Sequence, residues 1–394
     1  MSNTTELSST IGLANLGNTC FLNVVLQALR LSPPLGDIFL NNTIHVRPGS
    51  QKQQLLEAFQ ILMKDFWKIA IPKNAKPTLF PRGFYGTFLK IIHDTGDSWH
   101  RFGQQSDAAE TIQYILNSLH DAMYKKVTMV VTGSASNPEE KSYVKAIESW
   151  ESFFGKEYSP IIEHYNGQTQ TEVICNNCKA VSTRYEPWLM LKVPLPGGDQ
   201  PNRTKPDATL TECLDLAFAD ETLDDYQCDA CKLKGKATIR NRISKLPDVV
   251  ILTLKRFTNN MQKVSGKINW DLDGFDFRPW MAFRGDPFHK TYTLPIYETT
   301  SLIEQQGSFR GGHYQMYAKQ DGVWNEYDDN NIREVPGETA SNADIYVALL
   351  TRKSVVNAMN ARFCAKISAL RESVAAAAAA AAAEPAEPAE PAEA

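Results

Sequence analysis

Up to about residue 160, apolar residues recur at helical spacing; beyond it they alternate, or run in β-branched groups between turn residues. In residues 20–30, Val24, Val25, Ala28 and Leu29 form one apolar face, and Ser32-Pro33-Pro34 ends the helix. Residues 52–70 space Leu55, Leu56, Phe59, Leu62, Met63 and Phe66 as a core-facing stripe. Pro72, Pro77 and Pro81 break the chain, and PRGFYGTFLKII starts a short helix. Residues 102–125 carry Ile112, Ile115, Leu116 and Leu119 on one face, with Ser106 or Asp107 as cap. Residues 131–142 read as a flexible loop. The segments QTQTEVIC, KAVSTRYEP, LMLKVPLP, KATIRNRI, DVVILTLKRF, HYQMYAKQ and DIYVALLTRK read as strands. A helical first part and a β-rich second part predict an α+β fold of two lobes, with a cleft between them.

The two ends read differently. Residues 1–10 are expected to be a disordered lead-in. Residues 354–374 suit a helix that the alanines at 375–383 extend, and EPAEPAEPAEA then forbids one, giving a polyproline-like or disordered tail. The start MSNTTELSST has neither a basic stretch nor an apolar core, so it is not a signal peptide. The alanine tract is too short and too weakly apolar to span a bilayer. With 43% hydrophobic and 22% charged residues and a net charge of −4, nothing recruits nucleic acid or anionic membrane. A cytoplasmic or nuclear protein is expected, with a monomer favoured.

Seven cysteines are too few for a disulfide scaffold. Four of them form two C-x-x-C pairs, Cys175 with Cys178 and Cys228 with Cys231, each between two strand-like runs. Such paired turns bring four thiolates to one structural zinc with no open coordination position. Lys232, Lys234, Lys236 and Arg240 follow the second pair, but Asp224, Asp225 and Asp229 offset them and no aromatic ladder accompanies them. Cys213 and Cys364 read as ordinary thiols.

Candidate nucleophilic chemistry centres on residues 12–29, GLANLGNTCFLNVVLQAL. A Gly/Asn-rich turn runs into Cys20, and Asn18 or Thr19 can cap the helix that Cys20 begins. At a helix N-terminus the macrodipole favours thiolate over thiol, although a free cysteine is more often a small buried hydrophobe. A base is available in His313, which follows Gly311-Gly312 and starts the run HYQMYAK. A turn at Gln320-Asp321-Gly322 returns the chain through VWNEYDD, bringing Asp328 or Asp329 back toward His313. Asn15, in the approach turn, carries an amide able to donate to a tetrahedral oxyanion, and the Cys20 N–H could add a second donor. Gln105, Asp107 and Glu110, at a helix start, read from the residues alone as a cap and solvated acids.

Taken together, these segments resemble the ubiquitin-specific proteases, the papain-like cysteine deubiquitinases. GLANLGNTCFLNVVLQAL is similar to their Cys box and GGHYQMYAKQDGVWNEYDD to their His box. QQSDAAETIQYILNSLHD resembles the Gln/Asp box, YNGQTQTEVICNNC with STRYEPW the first finger strands, and LPDVVILTLKRF a palm strand. The order holds over about residues 11–352. The resemblance implies a thumb (about 11–155), then fingers and palm (about 156–352), followed by the tail 353–394. It implies Cys20 as nucleophile, His313 as general base, Asp328 as orienter and Asn15 as oxyanion donor, with Asp329 sharing one of the last two roles. It also makes Gln105, Asp107 and Glu110 contacts to the ubiquitin tail, and gives the four finger cysteines a zinc ion. Phe21 stands for the usual Tyr, Val24 for Ser, and Thr111 for Phe, where a packing change is expected. The implied activity is a thiol isopeptidase cutting after the C-terminal glycine of ubiquitin in conjugates or chains, with ubiquitin and ubiquitinated proteins as partners. The alternatives are a protease for another ubiquitin-like modifier, an inactive ubiquitin-binding scaffold and, on the zinc ribbon alone, a nucleic-acid binder that the charge balance disfavours.

Overall fold

The computed structural model describes residues 10–40, 44–68, 77–97, 100–130, 134–197, 208–257, 260, 262–264, 266–283, 294–308, 311–320, 322–358 and 372. Helical spacing becomes helix in the first part: α1 (Cys20–Arg30), α2 (Pro33–Leu40), α3 (Gln53–Lys68), α4 (Arg82–Asp94), α5 (Ala108–Met123), α6 (Pro138–Phe154) and α7 (Pro160–Tyr165). Short strands β1 (Gly12–Leu13) and β2 (Thr78–Leu79) pair in parallel beside them.

Strands dominate from Gly167 onward. They are β3 (Gly167–Cys175), β4 (Val181–Trp188), β5 (Met190–Val193), β6 (Ala208–Thr209), β7 (Glu221–Gln227), β8 (Lys234–Lys245), β9 (Val249–Leu254) and β10 (Ile268–Asn269). There follow β11 (Phe275–Asp276), β12 (Ile296–Ser308), β13 (Gly311–Gln320), β14 (Val323–Asp328), β15 (Asn331–Val335) and β16 (Ile345–Arg352). Helices α8 (Leu210–Ala217) and α9 (Gly337–Ser341) interrupt them. The expected α+β class therefore holds. The large sheet runs β15-β14-β13-β12-β16-β9-β5, with β11 on β12; a separate four-stranded sheet runs β4-β3-β8-β7.

The large sheet is buried on both faces. Ile303, Met316, Ala318, Val347 and Leu349 join the helical core, while their neighbours Leu302, Tyr317, Ala348 and Leu350 join a second core behind the sheet. Every residue of α1 is buried, so this helix sits between the other helices and the sheet rather than at the surface.

Two local expectations are corrected and a third is extended. Of the loop expected over residues 131–142, residues 131–133 lie outside the described residues, and α6 starts already at Pro138, where Asn137 and Glu140 form a reciprocal capping box with the Asn137 side chain accepting from the Glu140 N–H at 2.8 Å. Ser32-Pro33-Pro34 does more than end α1, since Pro33 begins α2. Thr19 is the N-cap residue of α1 but makes no side-chain cap bond. At α5 the cap is Asp107, which accepts the Glu110 N–H at 3.0 Å. Residues 353–358 are helical; apart from residue 372, the rest of the expected tail helix with Cys364, the alanine tract and the EPA repeat, as well as residues 1–9 and Asp321, lie outside the described residues. Among the described residues no helix is long and apolar enough to cross a membrane.

Candidate active site

The turn before Cys20 is held by Asn15. Its Oδ1 accepts the N–H groups of Gly17 at 3.0 Å and Thr19 at 3.2 Å, standing in for a backbone carbonyl. Gly17 (φ 103°) and Asn18 (φ 56°) take up the left-handed conformations this turn requires, which Gly and Asn tolerate best. The Thr19 hydroxyl accepts the Leu16 N–H at 2.8 Å, which commits it to the turn instead of to the helix cap.

Cys20 then opens α1 at 2% exposure. Burial pushes its thiol above the ordinary value of 9.0, and the Asp329 carboxylate adds to the effect. The N–H groups of Tyr314, Phe21 and Cys20 itself act the other way and are outweighed. The helix-terminus expectation holds only in part: the first-turn N–H groups favour the thiolate, but burial opposes and outweighs them.

His313 lies in β13 and Asp328 at the end of β14, and His313 Nε2 stands 2.6 Å from Asp328 Oδ1. Register explains the pairing. Met316 lies opposite Tyr327, so one step further Asp328 lies opposite Gln315, two residues from His313 and on the same face. A carboxylate can only accept here, so Nε2 carries the proton and Nδ1 is the nitrogen left with a lone pair.

Asp329, the other candidate, also lies beside His313, with side-chain atoms of His313, Asp328 and Asp329 all within 4.8 Å of one another, but it bonds to other partners. Its backbone is left-handed (φ 51°), and its carboxylate accepts from Asn15 Nδ2 at 2.8 Å and Asn23 Nδ2 at 2.7 Å. Its carbonyl accepts the Leu13 N–H at 2.9 Å. Two neighbouring acids thus serve different partners: Asp328 the imidazole, Asp329 the Asn15 amide.

Gln105 forms a two-point contact with the backbone of Gly312, donating to its carbonyl at 2.8 Å and accepting its N–H at 3.0 Å. This is the close approach foreseen for Gly311-Gly312. A Cβ on Gly312 would sit 1.9 Å from the Gln306 carbonyl oxygen, so β13 leaves no room for a side chain there. Asp107 caps α5 with one oxygen and accepts the Tyr346 hydroxyl at 2.7 Å with the other. Partial desolvation and the Asp107 charge push the Glu110 carboxyl up, against the opposing charge of Lys192. Thr111, standing where the resemblance has Phe, donates its hydroxyl to the Asp107 carbonyl at 2.7 Å and is fully buried.

Sequence reading missed two side chains that hold this region together. Asn23 and Gln27 are each 2% exposed on α1, and both reach the strand that leads into the site. Gln27 donates to the Ile11 carbonyl at 2.6 Å, and Asn23 to those of Leu13 and Ala14 as well as to Asp329. The available signal was two amides spaced four apart on a helix that is otherwise apolar up to Arg30.

The finger cysteines converge as the spacing predicts. The sulfurs of Cys175, Cys178, Cys228 and Cys231 all lie within 4.8 Å of one another. Cys175–Cys231 is 4.0 Å and Cys178–Cys228 3.6 Å. A tetrahedron of Zn–S bonds of about 2.3 Å has edges of about 3.8 Å, so the spacing fits that ion. The two turns are built alike. Lys179 N–H donates to the Cys175 carbonyl at 2.9 Å and Lys232 N–H to that of Cys228 at 2.8 Å, with both lysines left-handed. Backbone N–H groups face the sulfurs; the one from Leu233 helps bring Cys231 down to about 6.

A family model described as ubiquitin carboxyl-terminal hydrolase matches residues 11–350. Ubiquitin carboxyl-terminal hydrolase 21 of Rattus norvegicus is 26% identical over 365 residues, covering 86% of this chain and 61% of the relative. Ubiquitin carboxyl-terminal hydrolase 4 of Eremothecium gossypii is 28% identical over 361 residues, covering 84% of this chain and 41% of its own length. The chain thus spans 61% or less of these curated relatives. Among solved structures, the SAGA Ubp8/Sgf11/Sus1/Sgf73 DUB module bound to ubiquitin aldehyde aligns with a TM-score of 0.62 at 21% identity, covering 88% of this chain and 70% of that one. At that identity the likeness concerns the fold.

Proposed function

Because the chain belongs to the ubiquitin carboxyl-terminal hydrolase family, we propose that it is a deubiquitinating thiol isopeptidase acting after the C-terminal glycine of ubiquitin. The observation that carries this reading is the His313–Asp328 pair across one hairpin, next to a strand residue whose N–H faces the Cys20 sulfur. Cys20 is the nucleophile. His313 Nδ1 takes the thiol proton as sulfur attacks the glycine carbonyl, and Asp328 holds the ring in the required tautomer and stabilises the imidazolium. Burial, which pushes the Cys20 thiol up, is what a neighbouring base has to overcome.

The carbonyl oxygen gains charge as the tetrahedral centre forms. Asn15 Nδ2, which has two hydrogens and gives one to Asp329, has the other for this oxyanion, and the first-turn N–H of Cys20 adds to it. His313 returns its proton to the leaving lysine amine, then draws one from water to release the acyl-enzyme. Asp107, Glu110 and Gln105 line the approach of the ubiquitin tail.

Cys175, Cys178, Cys228 and Cys231 would hold zinc. A closed four-thiolate ion supplies folding energy to the finger sheet and no chemistry at the cleft. We assign residues 11–352 to the catalytic unit, ubiquitin conjugates as its partners, and the cytoplasm or nucleus as its compartment. Hydrolysis of ubiquitin–aminomethylcoumarin tests the activity. Wild-type protein is expected to release fluorophore, with Cys20→Ser and His313→Ala inactive. Turnover of a different ubiquitin-like modifier's coumarin in preference to ubiquitin's would reassign the substrate, and no turnover of either would remove the reading.

A further inference from the structure

Asn23 lies one turn after Cys20 and is 2% exposed. Its Nδ2 meets three oxygens: Asp329 Oδ1 at 2.7 Å, the Ala14 carbonyl at 3.3 Å and the Leu13 carbonyl at 3.4 Å. All three neighbours are acceptors, which fixes the orientation of the amide; reversed, it would press oxygen against three oxygens. Asn23 Oδ1 has no partner among the described residues. An unpaired buried oxygen is a cost that an apolar residue of similar size would avoid. An amide here therefore serves the site rather than the core.

The three oxygens share a purpose. Leu13 and Ala14 lead directly into Asn15, and Asp329 binds Asn15 Nδ2 through its second carboxylate oxygen at 2.8 Å. The two segments lie flush because residue 12 is glycine: a Cβ there would stand 2.6 Å from the Asn330 carbonyl oxygen. Asn15 is itself exposed, so nothing packs it into place from outside; its direction comes from Asp329 and from its own turn.

We propose that Asn23 is a positioning residue for the oxyanion donor: it fixes Asp329 and the Leu13-Ala14 backbone, and through them aims the Asn15 amide. The proposal rests on the reading of Asn15 as that donor. Asn23 acts only at second hand, so its loss should cost no more than the loss of an oxyanion donor, about 10²–10³-fold in kcat.

A double-mutant cycle on ubiquitin–aminomethylcoumarin hydrolysis decides it, using wild type, Asn23→Leu, Asn15→Ala and the double variant. Asn23→Leu is expected to lower kcat roughly ten- to a hundredfold with KM within about twofold, the pattern of an interaction made in the transition state. In the Asn15→Ala background the same change is expected to cost less than about threefold, because the group it aims is gone. An equal loss in both backgrounds, or full kcat in folded Asn23→Leu, overturns the proposal. Should Asn23→Leu fail to fold, Asn23→Ala, which removes the donor without adding bulk, runs through the same cycle, and the same two results overturn the proposal. Asn15→Ala with undiminished kcat overturns the assignment of Asn15 and this inference with it; additive losses overturn the inference alone.

Discussion

Replacing Asp329 with asparagine should move two rates in opposite directions. The carboxylate now accepts from Asn15 at 2.8 Å and Asn23 at 2.7 Å. An amide in its place offers one acceptor oxygen and one donor to face two donors, so one of the two bonds becomes a donor–donor contact. The buried Asn23 retains the oxygen, since burial makes its unmet donor the costlier, and exposed Asn15 loses its anchor. A hydrogen bond to a charged group contributes about 1.5–3 kcal/mol, below the roughly 2.7–4 kcal/mol for losing an oxyanion donor outright. The smaller figure limits the effect, so kcat should fall roughly ten- to a hundredfold. At the same time the Asp329 charge is one of the causes that push the Cys20 thiol up. Without it the thiol ionises at lower pH, and alkylation of the free protein by iodoacetamide at pH 8 should speed up. Initial rates with ubiquitin–aminomethylcoumarin and mass-spectrometric alkylation of Cys20 measure the two quantities on the same preparation. If both rates fall together, Asp329 is holding the fold rather than aiming Asn15, and if kcat is unchanged Asn15 needs no anchor.

The raised Cys20 pKa also predicts that alkylation of the unliganded wild-type protein climbs through and beyond pH 9.0, the ordinary thiol value, with no plateau near neutrality; a plateau by pH 7 would mean a preformed thiolate. Burial lowers both His100 and His120 from the ordinary 6.5. Below that pH the unfolded chain binds more protons than the folded one, so stability should be full above it and decline on acidification. Urea unfolding at pH 7.5 and 5.5 should show the decline, with a smaller drop in His120→Gln; equal midpoints at both pH values would contradict the sign. Removing metal with a strong chelator should expose four thiols to a disulfide reagent. It should also speed hydrogen exchange in β3 and β8 while leaving α1 protected, and release of no zinc would remove the metal assignment.

Where the sequence was legible, a short-range rule carried through into three dimensions. The stripe Leu55, Leu56, Phe59, Leu62, Met63 and Phe66 lies inside α3 and is buried. The C-x-x-C pairs converge because each turn sits between two strands of one sheet. The hairpin from β13 to β14 sets His313 beside Asp328 by register alone, but register said nothing of Asp329, whose left-handed backbone sends it to Asn15 instead. What stayed hidden depended on distant partners or on burial. Strand β12 reads as polar because Glu304 and Gln305 lie in it; both are buried there, and Glu304 accepts from Gln315, Tyr317 and the Asp344 N–H. The start of α6 was written locally in Asn137-Pro138 and Glu140, and the surrounding Ser and Gly outweighed it. Cys20 illustrates the balance most directly. A helix N-terminus favours thiolate, yet enclosure by helices and sheet reverses the sign, and no one-dimensional pattern reports how deep a helix start will lie.

The most direct test of Cys20 as nucleophile is labelling with ubiquitin carrying a thiol-reactive electrophile at its C-terminus, followed by mass-spectrometric mapping of the adduct. One ubiquitin per chain, bonded to the Cys20 sulfur and absent in Cys20→Ala, is the predicted result. An unlabelled wild-type protein, or equal labelling of the Cys20→Ala variant, would contradict it.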